Sequence, residues 1–171
     1  DALPIYIGVI YKDFYSDAAR SWCVGGKPDA KTQALMDASK GGMEAALEAY
    51  KPGCQIGDLS EAIQKYIESR GFGVVRDFVG HGIGKSLHEE PQVPNYGKAG
   101  RGLRIEPGLV LAIEPMVTAG SHEVQVLADG WTVVTKDRSW ASHYEDSIAF
   151  LEDGFINLTG GYAKKFADYQ R

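Results

Sequence analysis

Apolar side chains recur along the chain in two rhythms, and each rhythm predicts an element. Ile5 to Tyr11 is rich in β-branched and aromatic residues, and a second apolar stretch after Asp17 runs through Trp22, Cys23 and Val24 to Gly25-Gly26. The two read as the arms of a hairpin. From Asp29 to about Tyr50, Leu35, Met36, Met43, Ala46, Leu47 and Tyr50 recur at helical spacing. Gly41-Gly42 weakens the middle of that helix by roughly 1 kcal/mol per glycine relative to Ala. Pro52-Gly53 stops it. A second helix is expected to start at Asp58, whose carboxylate caps free backbone N–H groups while Glu61 reaches back in a capping-box-like arrangement. Leu59, Ala62, Ile63, Tyr66 and Ile67 form its apolar face, closed by Gly71.

The remainder reads as strand and loop. Val74 to Val79 is one expected strand, and Leu109 to Met116 another, entered through the turn pair Pro107-Gly108. Glu123 to Leu127 and Trp131 to Thr135 flank Ala128-Asp129-Gly130, a hairpin loop with Gly where a left-handed backbone is wanted. His143 to Leu151 supplies one more strand. Two helices with antiparallel hairpins predict an α+β fold, the helices packed on one face of the sheet. There is no internal repeat and no low-complexity linker.

Bulk properties narrow the function classes. A chain of 171 residues, 44% apolar and 24% charged, is the size of one domain with a substantial core, and no apolar run is long enough to cross a bilayer. A net charge of -5 disfavours nucleic acid and anionic lipid as partners. Cys23 and Cys54 lie far apart with no C-x-x-C spacing, and no signal-peptide pattern is visible, so free thiols in the cytoplasm are expected. The chain starts Asp1-Ala2-Leu3-Pro4 without Met, which suggests an upstream segment that was removed or not included.

Chemistry concentrates in a few places. In Gly80-His81-Gly82-Ile83-Gly84-Lys85-Ser86 three glycines alternate with other residues just after an apolar stretch. A phosphate-binding G-x-x-x-x-G-K-[ST] loop fails because its first glycine position holds Val79, and a dinucleotide G-x-G-x-x-G fails because its third holds Lys85. What remains is a histidine where the backbone can approach a metal or substrate closely, or a tight turn carrying a surface histidine. Glu114, in Ala112-Ile113-Glu114-Pro115-Met116, and Glu145, in His143-Tyr144-Glu145-Asp146, are carboxylates embedded in apolar strands. Burying such a charge without a partner costs several kcal/mol. Each could instead point outward from a half-exposed sheet. Taken together with His81, they form a hard, oxygen-rich, one-nitrogen donor set suited to Mn, Fe, Co or Zn in a hydrolase. Asp17 could complete it by bridging two ions. Asp13 falls in the expected hairpin turn, and His88, seven residues after His81, sits either at the pocket edge or on the surface.

Five of these stretches, Phe78 to Gly84, Leu87 to Pro91, Ala112 to Met116, Asp129 to Thr132 and Tyr144-Glu145, occur in the order seen in type I methionine aminopeptidases, and Gly8 to Arg20 resembles the segment carrying that family's two metal-binding aspartates. The resemblance covers nearly the whole chain. It implies the pita-bread fold and removal of N-terminal methionine from peptides or nascent proteins, by water activated on one or two divalent metals. Carried over by position, His81 and Glu114 would ligate one ion, Asp17 and Glu145 would bridge it to a second, and Glu114 would shuttle the proton. His88 would contact the scissile amide, and Trp131 would help shape the pocket.

Three departures accompany the resemblance. Eleven residues before Asp17, where the family has its first aspartate, this chain has Tyr6, so one well-held ion on the His81 and Glu114 side is expected. Leu87 stands before His88 where the resemblance leads one to expect an aromatic residue in many relatives. The family's N-terminal portion, which supplies half of a pseudo-symmetric sheet, is also missing, and apolar surface left by it would favour a homodimer. The alternative readings are a catalytically inactive pita-bread binding module and a shortened piece that keeps the fold.

Overall fold

The structure, a computed structural model, describes residues 2–167. Strands β1 (Ala2–Tyr11) and β2 (Phe14–Cys23) pair antiparallel along their whole length, with Gly8 opposite Asp17 and Tyr6 opposite Ala19. Lys12 and Asp13 both take positive φ, at 49° and 64°, the two-residue geometry whose twist matches that of the flanking strands.

Helix α1 (Ala30–Ala49) is capped by Asp29, whose carboxylate accepts the Thr32 N–H at 2.7 Å. Helix α2 (Ile56–Glu68) begins two residues earlier than its sequence suggests. Gln55 is the cap and Asp58 the third helical residue, reaching back to the Gln55 N–H at 2.6 Å. Glu61 pairs with Lys65 one turn on instead. The glycine pair inside α1 has a packing reason. A Cβ on Gly41 would lie 2.1 Å from the Tyr66 hydroxyl, and one on Gly42 would lie 2.8 Å from Ile67 Cδ1, so the two helices touch where α1 is slimmest.

Two expected strands each split in two, and the third, Val74 to Val79, is strand only at Val74. β3 (Gly73–Val74) is followed by irregular chain and then β4 (Gly80–Gly82) and β5 (Glu89–Val93). β6 (Val110–Ile113) breaks at Glu114-Pro115 before β7 (Met116–Thr118). After the β8 (Val124–Val126) and β9 (Val133–Thr135) hairpin, β10 (Ala141–His143) breaks at Tyr144 before β11 (Glu145–Leu151). β12 (Gly154–Asn157) and β13 (Tyr162–Lys165) complete the chain.

The main sheet runs β1-β2-β11-β6-β4-β5, with β12 and β13 attached beside β11, and a smaller sheet runs β10-β7-β3. Each split is therefore a passage from one sheet to the other. Pro115, which has no N–H to give a ladder, marks one passage. Every strand pairing among the described residues is antiparallel. The core joins Leu35, Met43, Leu59, Ile63 and Ile67 of the helices to Leu111, Ile113, Ile148 and Phe150 of the main sheet, which is the α+β layering the periodicity predicts. At the opposite edge β1 leaves Ile5, Ile7, Val9 and Ile10 exposed.

Candidate metal centre

The ionisable side chains collect where the two sheets meet. Asp17 is on β2, Glu145 opens β11, Glu114 follows β6 and His81 is on β4, and those four strands are consecutive neighbours in the main sheet. Register completes the alignment. Ala18 and Ala19 face Asp146 and Glu145, Asp146 faces Ile113, and Ala112 faces His81. Residues far apart in sequence are thus placed side by side by sheet pairing.

The G-H-G motif works differently from what its composition suggests. A Cβ on Gly80 would sit 2.3 Å from the Ala112 carbonyl oxygen, and one on Gly82 would sit 2.3 Å from that of Glu90. The glycines admit the neighbouring strands' backbone, and the histidine between them is buried. His81 Nδ1 lies 2.9 Å from the Gly82 carbonyl oxygen. Because a carbonyl can only accept, Nδ1 carries the proton and Nε2 keeps its lone pair, 3.6 Å from Glu114 Oε1.

Asp17, His81 and Glu145 each offer a ligand atom within 4.8 Å of one another, and so do Glu114, His143 and Glu145. Two overlapping donor sets therefore share Glu145. His143 is the residue that sequence reasoning did not single out. It ends β10 just before the break at Tyr144, and no local pattern in the sequence marks it.

Supporting contacts fix these groups from behind. Ser147 Oγ accepts the Asp17 N–H at 3.0 Å and donates to the Asp17 carbonyl at 2.8 Å. Asp146, fully buried, accepts from Arg20 Nη2 at 2.6 Å, Asn157 Nδ2 at 2.8 Å and Thr159 Oγ1 at 2.6 Å, while Arg20 Nη1 donates to the Glu145 carbonyl.

Burial dominates the electrostatics. It pushes Glu114 up to about 8, with Asp17 adding to the rise, and Glu145 up to about 9, with Glu114 and Asp17 adding. Burial also lowers His81, and takes His143 down to about 4. The imidazoles are therefore neutral at pH 7, and their approaches to Glu114 are not ion pairs. A site that resists ionising Glu114 and Glu145 and keeps its imidazoles neutral is one from which positive charge is missing, and a divalent cation would supply it.

A pH dependence follows for the metal-free protein. The stability contributed by the two glutamates is complete below their unfolded value of 4.5 and is lost as pH rises through about 8 and 9. The histidine contribution has the opposite sign, complete above 6.5 and lost as pH falls toward about 4. In chelator, melting temperature is expected to fall steadily from pH 6.5 to 9, and the fall is expected to disappear on adding Mn or Co. A flat metal-free profile over that range would show that the carboxyls are not held protonated.

The remaining candidates lie outside this cluster. His88 is exposed, with its ring edge-on to His81 at 4.3 Å between centroids, so it stands at the mouth of the site. Trp131 is 87% exposed in the β8–β9 turn, where the Asp129 carboxylate accepts the Trp131 and Thr132 N–H groups.

A model of metallopeptidase family M24 matches residues 1–153. The chain is 44% identical to methionine aminopeptidase A of Synechocystis over 94% of its own length and 63% of that protein's. It is 45% identical to methionine aminopeptidase 1 of Bacillus subtilis over 93% and 64%. The chain thus spans a little under two thirds of the length of these relatives. Among solved structures, the methionine aminopeptidase of Thermotoga maritima superposes with a TM-score of 0.90 at 44% identity, over 93% of this chain and 64% of that one. The prolidase of Pyrococcus furiosus, 24% identical with a TM-score of 0.70 over 93% and 41%, shares the fold.

Proposed function

The chain belongs to metallopeptidase family M24, and on that footing we propose that it acts as a metal-dependent hydrolase of the methionine aminopeptidase type, releasing N-terminal methionine from peptides or nascent proteins. The metal ligands in this reading are Asp17, His81, Glu114 and Glu145. The observation that carries it is His81, whose Nδ1 is committed to a carbonyl and whose Nε2 faces Glu114, with Asp17 and the buried Glu145 in the same cluster. The donor set of carboxylate oxygens and imidazole suits Mn, Fe, Co or Zn. We place the protein in the cytoplasm, in keeping with its sparse thiols. No helix among the described residues is long and apolar enough to cross a membrane. Pairing of two copies would use the apolar side chains exposed along β1.

Bound here, a divalent ion would polarise the scissile carbonyl and lower the pKa of a water molecule toward neutrality. The protein's own groups do the rest. Glu114, ionised once the ion is bound, would take the proton from the attacking water and pass it to the departing amine. Glu145 and Asp17 hold their side chains against the same centre, their strands joined through the Ser147 hydroxyl. His88, at the mouth beside His81, donates to the oxygen on which charge develops. Trp131 stands free to pack on the outgoing peptide.

With Mn or Co supplied, a Met-Ala-Ser peptide is expected to lose its methionine, and chelation is expected to stop the reaction. His88→Ala is expected to lower kcat by about 100-fold with metal content unchanged, as for loss of one donor to developing charge. A fully loaded protein that releases no methionine would overturn the catalytic reading in favour of a metal-holding binding module, the reading that Tyr6 in place of an aspartate favours.

A further inference from the structure

His143 is 4% exposed, and its two ring nitrogens are in different situations. Nδ1 lies 2.8 Å from the Tyr6 hydroxyl, and the two rings meet edge to face at 4.9 Å. Nε2 is buried and makes no hydrogen bond, although it comes within 3.3 Å of Glu114 Oε2. A buried nitrogen without a hydrogen-bond partner, aimed between two carboxyls, lacks a compensating interaction. His143 belongs to the donor set that Glu114 and Glu145 complete, and Nε2 is the nitrogen that approaches Glu114.

We propose that His143 is a metal ligand in its own right, binding through Nε2 a second divalent ion together with Glu114 and Glu145, and that the Tyr6 hydroxyl orients it through Nδ1. The proton inventory balances. Nδ1–H donates to the Tyr6 oxygen, which leaves the Nε2 lone pair for the ion, the same arrangement that the Gly82 carbonyl imposes on His81. Tyr6 is more than half exposed as a residue, but its hydroxyl reaches inward to His143. Tyr6 is thereby a positioning residue, and the imidazole provides the donor that a carboxylate at position 6 would otherwise supply. The centre would then hold two ions on two histidines, with Glu145 common to both. His143 and Tyr6 lie on β10 and β1, two strands brought together only by the fold.

This inference rests on the metal reading above, and its test separates the two. Calorimetric titration of the metal-free protein with Co is expected to show two ions per chain. His143→Ala is expected to keep the first ion and lose the second, whereas His81→Ala loses the first. Tyr6→Phe, which keeps the ring and removes only the oxygen, is expected to weaken the second ion by about 10–100-fold, the usual effect of removing the hydrogen-bond partner of a ligating histidine. Proton NMR of the Co-loaded protein gives a readout independent of turnover. Two strongly shifted, exchangeable imidazole N–H resonances are expected, one of which disappears in His143→Ala. A wild-type protein with one ion, one shifted resonance and no response to His143→Ala would overturn the ligand assignment and leave the His81 site standing. A wild-type protein that binds no ion would overturn both.

Discussion

Replacing Glu145 by Gln is expected to strip the protein of metal. Glu145 is the one side chain common to both donor sets, so an amide in its place removes a charge that either ion would need. The loss of affinity is expected to exceed the roughly 10–100-fold that follows from removing an outer hydrogen-bond partner of a ligand. The same change should have the opposite effect on the metal-free protein. In the wild type this carboxyl is pushed up to about 9 by burial and by Glu114 and Asp17, so at pH 9 the folded state holds a charge the interior opposes. The nearly isosteric amide carries none. Calorimetric titration with Co and thermal melts in chelator at pH 9 read the two halves, and metal affinity equal to wild type would mean that Glu145 does not face the ion.

Asp146→Ala is expected to act on the fold instead. This carboxylate is fully buried and accepts three side-chain hydrogen bonds, from Arg20, Asn157 and Thr159. Its removal leaves the guanidinium and two polar groups facing a hole. Breaking a buried charge pair from one side costs about 3–5 kcal/mol, which for a domain of this size is a fall in Tm on the order of 6–20 °C. Metal binding would suffer secondarily, because Arg20 also donates to the Glu145 carbonyl and so sets where that strand begins. Asp146→Asn keeps an acceptor and much of the shape, and is expected to lose distinctly less. If Asp146→Ala melted within a degree or two of wild type, the network would be ornamental to stability.

Sequence reasoning read the helices and the two hairpins well because each has an internal rhythm and local punctuation. Asp29 caps, Lys12-Asp13 turns, and Leu35, Met43 and Leu47 do form a buried stripe on α1. It failed where the chain leaves one sheet for another. Leu109 to Met116 and His143 to Leu151 read as continuous strands because alternation along a segment carries no information on which sheet each half joins. Pro115 was the available sign in one of the two. Val74 to Val79 reads as a strand from its composition, yet only Val74 finds a partner strand. β4 and β5 are short and rich in Gly, Glu and Pro, so propensity argued against them, and only long-range pairing makes them strands.

The gathering of Asp17, His81, Glu114 and Glu145 was legible as a family likeness more than as physics. Spacing alone left His81 divided between a close-approach loop and a surface turn. His143 was missed because nothing local distinguishes a histidine that faces a carboxyl cluster from one that faces solvent. The significance of Tyr6 also emerges only from its partner across the fold, since a phenol read in isolation is merely a poor replacement for a carboxylate.

The β1–β2 hairpin carries Asp17 and Tyr6, while His81, Glu114, His143 and Glu145 belong to the body beneath it. It is attached through two residue pairs to β11, the Tyr15 N–H to the Gly84 carbonyl, the serine bridges from Ser147 and Ser21, the Arg20 bonds to Asp146 and the Glu145 carbonyl, and the Tyr6 contact with His143. Local opening of these contacts would lift the hairpin from the body without global unfolding. Amide hydrogen exchange along β2 would then report the lifetime of the assembled centre, and that lifetime would lengthen with each ion that ties hairpin to body. Inactivation on heating would accordingly precede the loss of helical structure, with the cation acting as a removable cross-link between two parts of one chain.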